Sequence, residues 1–247
     1  MAATRSRAAR RSQASRPRLP PVDGPSSGTS AAVRASVHLR EEILQGRLRT
    51  GDRVDQNEVA EKLHISRQPV REAVLELAAD GLLVVRPQHG VFVGPFDAET
   101  VLGHFELYGY LRGYAAAKVA RRADPVVVER LRELQRLIRS STDPNAIDTA
   151  AGTFYRTINI AAGNLRLRTT LRSMSRFVPG NFYVRYPEAI QLSHTGGGRI
   201  VRAIERGNAD AASRACIDLW RAGGELVVAD LAARGVLEPA RVTRRRA

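Results

Sequence analysis

Ser66, Arg67, Gln68 and Arg71 stand within one six-residue stretch and carry the groups that read duplex DNA. A guanidinium fork bridges guanine O6 and N7, a glutamine amide pairs with adenine, and a hydroxyl donates to phosphate. If Ser66 caps a helix, all four side chains leave its first two turns, where the second helix of a helix-turn-helix meets base edges. Val70, Ala73, Val74 and Leu77 then follow at i, i+3, i+4 and i+7, one buried stripe with Arg67 and Arg71 off it. Pro69 fits the first turn, where its missing N–H is not needed. The plainer alternative for this segment is an amphipathic helix with a solvated basic face.

Such a helix needs neighbours to hold it. Val37, Leu39, Ile43 and Leu44 mark a first helix that stops near Gly46, before the loop Arg49-Thr50-Gly51-Asp52. Val59 and Leu63, four apart, mark a second, which His64-Ile65 joins to the third; Gly81 ends the third. Two β-type segments, 82–86 and 91–93, flank Pro87-Gln88-His89-Gly90 as a small hairpin. Three helices and a hairpin make a winged helix. Beyond Gly94-Pro95 and Asp97 the apolar period is helical throughout, with stripes Val101, Phe105, Tyr108, Ala115, Val119, then Val127, Leu131, Leu134, Ile138, then Ile147, Ala151, Phe154, Ile158. Further helices are expected over 165–177, 199–206 and 209–233, with breaks at Gly163-Asn164, Pro179-Gly180, Gly196-Gly197-Gly198 and Gly207-Asn208. The expected fold is mainly α: an N-terminal winged helix-turn-helix with a small β-hairpin wing, followed by an all-α helical bundle. The expected divisions are a disordered basic arm (1–35), the winged helix-turn-helix (36–95), a helical domain for effector binding and dimerisation (98–235) and a basic tail (236–247).

Composition narrows the function. At 247 residues, with 43% apolar and 26% charged residues, the chain has a globular balance, and its 5% aromatic share points to Leu, Val, Ile and Ala packing. Its longest aliphatic run, Leu82-Leu83-Val84-Val85, falls far short of the roughly 18 apolar residues of a membrane span, so no membrane association is expected. Cys216 is a single cysteine, which excludes an internal disulfide and makes the cytoplasm the expected compartment. No apolar run follows the opening positive residues, so no secretory signal is expected. Of the net charge of +14, most is terminal: residues 1–35 hold seven Arg against one acid, Asp23, and the end carries Arg241, Arg244, Arg245 and Arg246. These arms either add phosphate contacts or are simply solvated. Residues 37–93 hold eight Lys and Arg against nine Asp and Glu, so DNA affinity there rests on local placement of charge. No GxSxG, P-loop, HExxH or dinucleotide glycine pattern occurs, Cys216 has no nucleophile context, and the glycines at 196–198 follow no expected strand. The chain is not expected to be an enzyme.

The span from Leu39-Arg40-Glu41-Glu42-Ile43-Leu44-Gln45-Gly46 through Thr50-Gly51-Asp52-Arg53-Val54 and 58–73 closely resembles the GntR family of bacterial transcription regulators. Gly81-Leu82-Leu83 and the wing His89-Gly90-Val91-Phe92-Val93 continue the resemblance, which covers about residues 37–93. It implies that Arg67 and Arg71 meet operator DNA and that His89-Gly90 turns toward the adjacent minor groove, with Arg40, Gln56, Asn57, Ser66 and Gln68 completing the contact set. Where many relatives have Arg or Ala in the second helix this chain has Gln56-Asn57, so its base preference is expected to differ.

The second region resembles the FadR-type (FCD) ligand domain of the same family, in Phe105-Glu106-Leu107 with Ala115-Ala116-Ala117, Phe154-Tyr155-Arg156 with Ala161-Ala162-Gly163-Asn164, and Gly207-Asn208-Ala209-Asp210. Many such domains hold a divalent metal on one Asp and three His. The matching positions here are Ala151, Tyr155, Gly197 and Leu219, none an ordinary metal ligand, and His194 beside Gly197 stands alone. No metal and no cofactor are expected. An arginine and a glutamate common in the first helix of such domains appear here as Tyr108 and Arg112. These changes point to a larger, more hydrophobic effector oriented by Tyr108, Arg112, Tyr155, Arg156 and Leu219, the alternative being a filled core. The resemblance thus implies a homodimeric regulator, a repressor, that binds a double-stranded operator with an affinity set by a small-molecule, lipid-like effector. Two alternatives stay open: a ligand-independent regulator with a vestigial sensor, and a helical enzyme or binding protein with an accessory DNA module.

Overall fold

The computed structural model describes residues 30–178 and 181–237. The expectations for residues 1–29, for the tail from 238 onward and for the break at Pro179-Gly180 lie outside the described residues. Helix α1 (Ala31–Leu44) starts within the stretch drawn above as the arm, because Ala35, Leu39 and Ile43 form a buried row that includes Ala35. Helices α2 (Gln56–Leu63) and α3 (Arg67–Ala79) follow, joined by a tight turn in which His64 takes a left-handed conformation (φ 52°). The Asp55 carboxylate accepts from the N–H groups of Asn57 and Glu58 and so starts α2. Strands β1 (Leu83–Arg86) and β2 (Gly90–Val93) pair antiparallel, with Leu83 opposite Val93 and Arg86 opposite Gly90. Their turn needs left-handed backbone at Gln88 and Gly90, and glycine supplies the second.

The rest is helical. The elements are α4 (Ala98–Ala120), α5 (Pro125–Ser140), α6 (Pro144–Ala161), α7 (Leu165–Ser175), the short α8 (Phe182–Arg185), α9 (Glu188–Glu205) and α10 (Ala209–Ala233). Most begin on an Asp or Asn whose side chain accepts an N–H of the first turn: Asp97, Asp124, Asp143, Asn164 and Asn208. One expectation is corrected. The glycines at 196–198 do not interrupt a helix but lie buried inside α9, which starts at Glu188. A Cβ at Gly196 would come 2.8 Å from Leu219 Cδ1, and one at Gly197 would come 2.3 Å from Gln135 Oε1. The residues are small because α5 and α10 press against that face, a tertiary demand that outweighs glycine's poor helix propensity.

Two apolar clusters result. One fills the bundle, around Leu131, Ile138, Ile147, Phe154, Ile158 and Ile204. The other runs without a gap from the winged helix (Leu39, Leu77, Leu83, Phe96) into the bundle's near end (Phe105, Phe177, Val227, Leu231). Among the described residues, no helix is long and apolar enough to cross a membrane.

Candidate functional site

Helix α3 turns Val70, Ala73, Val74 and Leu77 into the core, and this leaves Arg67, Gln68 and Arg71 exposed. Ser66 occupies the cap position with extended backbone, yet its side chain makes no capping bond. The hydroxyl and the first N–H groups of α3 therefore remain available to an anion, on the positive end of the helix dipole. A concavity of about 520 Å³ brings Arg67, Gln68 and Arg71 together with Gln56, Asn57 and Gly90, and adds Arg53. Its one acid, Asp55, is engaged in capping α2. Among the described residues, no carboxylate forms an ion pair with Arg53, Arg67 or Arg71, so three cations and one carboxylate line the hollow.

Sequence reasoning missed Arg53. It forms an isolated antiparallel bridge with Phe92, and its Nε lies 3.2 Å from where a Gly90 Cβ would sit. Only the pairing of the loop after α1 with the wing brings it there, and no local spacing encodes that pairing. His89 is exposed at the wing tip, outside the hollow. Arg40 lies apart from this hollow. It is 8% exposed, with Nη2 3.5 Å from Asp80 and 4.0 Å from Glu76, so it ties α1 to the far end of α3. Burial pulls its pKa down, against the pull of Asp80 and Glu76.

In the bundle, a cavity of about 370 Å³ is lined by Tyr108, Arg112, Tyr155 and Leu219, together with Asp148, Phe182, Tyr183 and Trp220, which the sequence had not singled out. Arg156 does not line it. It lies at an adjoining hollow of about 340 Å³ that shares Tyr108, Arg112, Gly152, Tyr155 and Ser175. Arg112 is 8% exposed and its guanidinium lies over three rings, 4.1 Å from the Tyr155 centroid, 4.4 Å from Tyr108 and 4.8 Å from Trp220. One of its nitrogens donates to the Tyr108 hydroxyl, while Nε and Nη1 are buried without a partner. Asp148 Oδ2 and Trp220 Nε1 are likewise unpaired, and burial raises the Asp148 pKa. Burial drives the Tyr155 phenol well above its ordinary range and Cys216 up to about 12, which leaves that thiol inert.

Of the four positions that match the family's metal set, Ala151, Tyr155 and Leu219 border the cavity, whereas Gly197 faces Gln135. Gln135 Nε2 donates to the carbonyls of Ser193 and His194, and a histidine at 197 would collide with it. His194 bonds the Ile138 carbonyl. The described residues contain no group of three or more His, Cys, Asp or Glu that could hold a metal ion.

The cavity wall continues into the DNA-facing unit. Ser175 and Val178 line it; Arg176, between them, lies 2.9 Å from Glu76 on α3, and Ser173 donates to Asp80 at the end of that helix.

Comparison with known proteins places two family models along the chain. Residues 31–93 match the family model described as bacterial regulatory proteins, gntR family, and residues 104–222 match the FCD domain. An uncharacterized HTH-type transcriptional regulator of Mycobacterium tuberculosis (strain ATCC 25618 / H37Rv) is 34% identical over 212 residues, 86% of this chain and 87% of that protein. The HTH-type transcriptional repressor RspR of Escherichia coli (strain K12) is 34% identical over 91 residues, 37% of this chain and 38% of its own. A solved transcriptional regulator of Pseudomonas syringae pv. tomato str. DC3000, a GntR family member, shares the fold with a TM-score of 0.51 at 22% identity, covering 83% of this chain and 87% of that one.

Proposed function

This chain belongs to the gntR family of bacterial regulatory proteins, with an FCD domain behind its helix-turn-helix, and we propose residue roles for its work as a DNA-binding transcriptional regulator with an effector-binding C-terminal domain. Helix α3 enters the major groove, where Arg67 and Arg71 read guanines and Gln68 reads an adjacent base. Ser66 and the α3 N-terminus hold a phosphate, Gln56 and Asn57 flank the site, and the wing carries His89-Gly90 toward the minor groove. Arg53 joins them, and Arg40 does not. The observation that carries this reading is the hollow with three unpaired arginines inside a unit whose overall charge is slightly negative.

The bundle cavity supports a bound effector over a filled core, because it is open, largely apolar and edged by unpaired polar groups. The effector acts through residues 173–178, whose contacts with Glu76 and Asp80 join the cavity wall to α3. The protein works in the cytoplasm as a homodimer and represses, as the name of the RspR relative suggests. Leu107, Tyr110 and Tyr114 are 55%, 60% and 50% exposed along α4, an apolar stripe suited to a symmetric partner. Retention of fragmented genomic DNA by the purified chain tests the whole reading. Enrichment of a shared two-fold symmetric sequence supports it, and uniform retention of all fragments overturns it.

A further inference from the structure

The two hollows that meet at Arg112 differ in character. The first is bounded by Val178, Phe182, Leu192, Leu219 and Trp220. The second lies between α4, α6 and α7 and is bounded by Arg156, Arg168 and Arg172 as well as Arg112 and Asn159, with no Asp or Glu in its lining. Among the described residues, Arg156, Arg168 and Arg172 form no ion pair. Arg156 has a single long bond, 3.5 Å to the Thr153 hydroxyl. This contrasts with three of the four arginines of α5, Arg130, Arg132 and Arg136, which find carboxylates. Solvation alone accounts for the exposed Arg156 and Arg172, but not for Arg112. Arg112 is more than nine-tenths buried; the rings around its guanidinium stabilise the charge yet leave Nε and Nη1 buried without acceptors. A buried cation with unsatisfied donors is unfavourable until an anion arrives.

Resting on the reading that the bundle holds an effector, we propose that the two hollows form one site for an amphipathic dianion of the phosphate monoester class. Its apolar body lies against Trp220 and Leu219, and its charged head sits among Arg112, Arg168, Arg172 and Arg156. A single carboxylate would neutralise one of four converging guanidinium groups, whereas a phosphate offers two charges and several acceptor oxygens for their forks. Alkyl chain and headgroup are recognised on opposite sides of Arg112, which lines both hollows together with Tyr108, Gly152, Tyr155 and Ser175.

Trp220 is the single tryptophan of the chain, so its fluorescence reports occupancy of the apolar hollow directly. The full-length protein is titrated with n-octyl phosphate, octanoate, octan-1-ol and inorganic phosphate. Saturable quenching by octyl phosphate, at an affinity at least about tenfold above octanol and octanoate, is expected. In the Arg168→Gln/Arg172→Gln double variant, octyl phosphate should fall to the level of octanol while octanol is unchanged. These positions lie toward the solvent end of the site, so the variant keeps the fold, as circular dichroism will register. Equal binding of octyl phosphate and octanol to the wild type, or of octyl phosphate and octanoate, overturns the dianion site but leaves an apolar effector cavity standing. No saturable response to any probe overturns both.

Discussion

His104 sits where α4 meets α7, its ring stacked 4.1 Å from Phe177 and its Nε2 3.0 Å from the Met174 carbonyl. Burial lowers its pKa from 6.5 to about 4, with a smaller push from Arg40 in the same direction and an opposing pull from the Met174 carbonyl. The folded protein therefore holds His104 neutral, while the unfolded chain takes up a proton below pH 6.5. With the folded pKa depressed, the stability it confers is complete above pH 6.5 and is lost as pH falls toward 4. At about 1.36 kcal/mol per pKa unit, the loss between pH 7.5 and pH 5 is about 2 kcal/mol. Other groups also link stability to pH: burial shifts Asp80 and Asp148 upward, and Glu42 is held at about 2 by its bond to Arg47. The comparison with His104→Phe removes them, since Phe keeps a ring against Phe177 but cannot titrate. Urea unfolding of both proteins at pH 7.5, 6.5, 5.5 and 5.0 gives the difference directly. The wild type should lose about 2 kcal/mol relative to the variant over that range. Parallel curves would refute the reasoning, because they would mean that His104 is already solvated or protonated in the fold.

The two ties between α3 and its neighbours should separate in strength. Arg176→Ala breaks a pair with Glu76 that water screens and should cost under about 1 kcal/mol in urea unfolding. Arg40→Ala removes the buried partner of Asp80 and should cost about 3 kcal/mol. Removing residues 1–29 should weaken binding to all DNA sequences alike and flatten the plot of log affinity against log salt; an identical slope would mean that the arm makes no phosphate contacts. Protein purified without chelators should carry no stoichiometric zinc, manganese or nickel by elemental analysis, since Gln135 and Leu219 occupy the space beside Gly197 and Gly196; about one ion per chain would contradict this.

Much of the fold was legible because its signals are local. The Val70, Ala73, Val74, Leu77 stripe needs only its own helix to be read, and it stands in the structure as the buried face of α3. What escaped depends on distant partners. The glycines at 196–198 read as a break because their closeness to Leu219 and Gln135 involves α10 and α5. The ties of Arg40 to Glu76 and Asp80 have no local signal either, because those acids lie two helices away. In the same way Arg53, Asp148 and Trp220 become parts of sites only through pairing across the fold, while Tyr108, Arg112, Tyr155 and Leu219 could be marked in advance from the resemblance and do meet at one cavity.

The central claim is that Arg67 and Arg71 read bases from α3. Quantitative footprinting on a site selected from genomic fragments, with wild type beside Arg67→Ala and Arg71→Ala, tests it most directly. The wild type should protect two half-sites with centres about 10 base pairs, or a multiple of that, apart. Each substitution should weaken that site roughly 5- to 150-fold, the loss of about 1–3 kcal/mol that accompanies one bidentate base contact, and affect unrelated DNA less. Undiminished protection by both variants, with circular dichroism matching the wild type, would contradict the account.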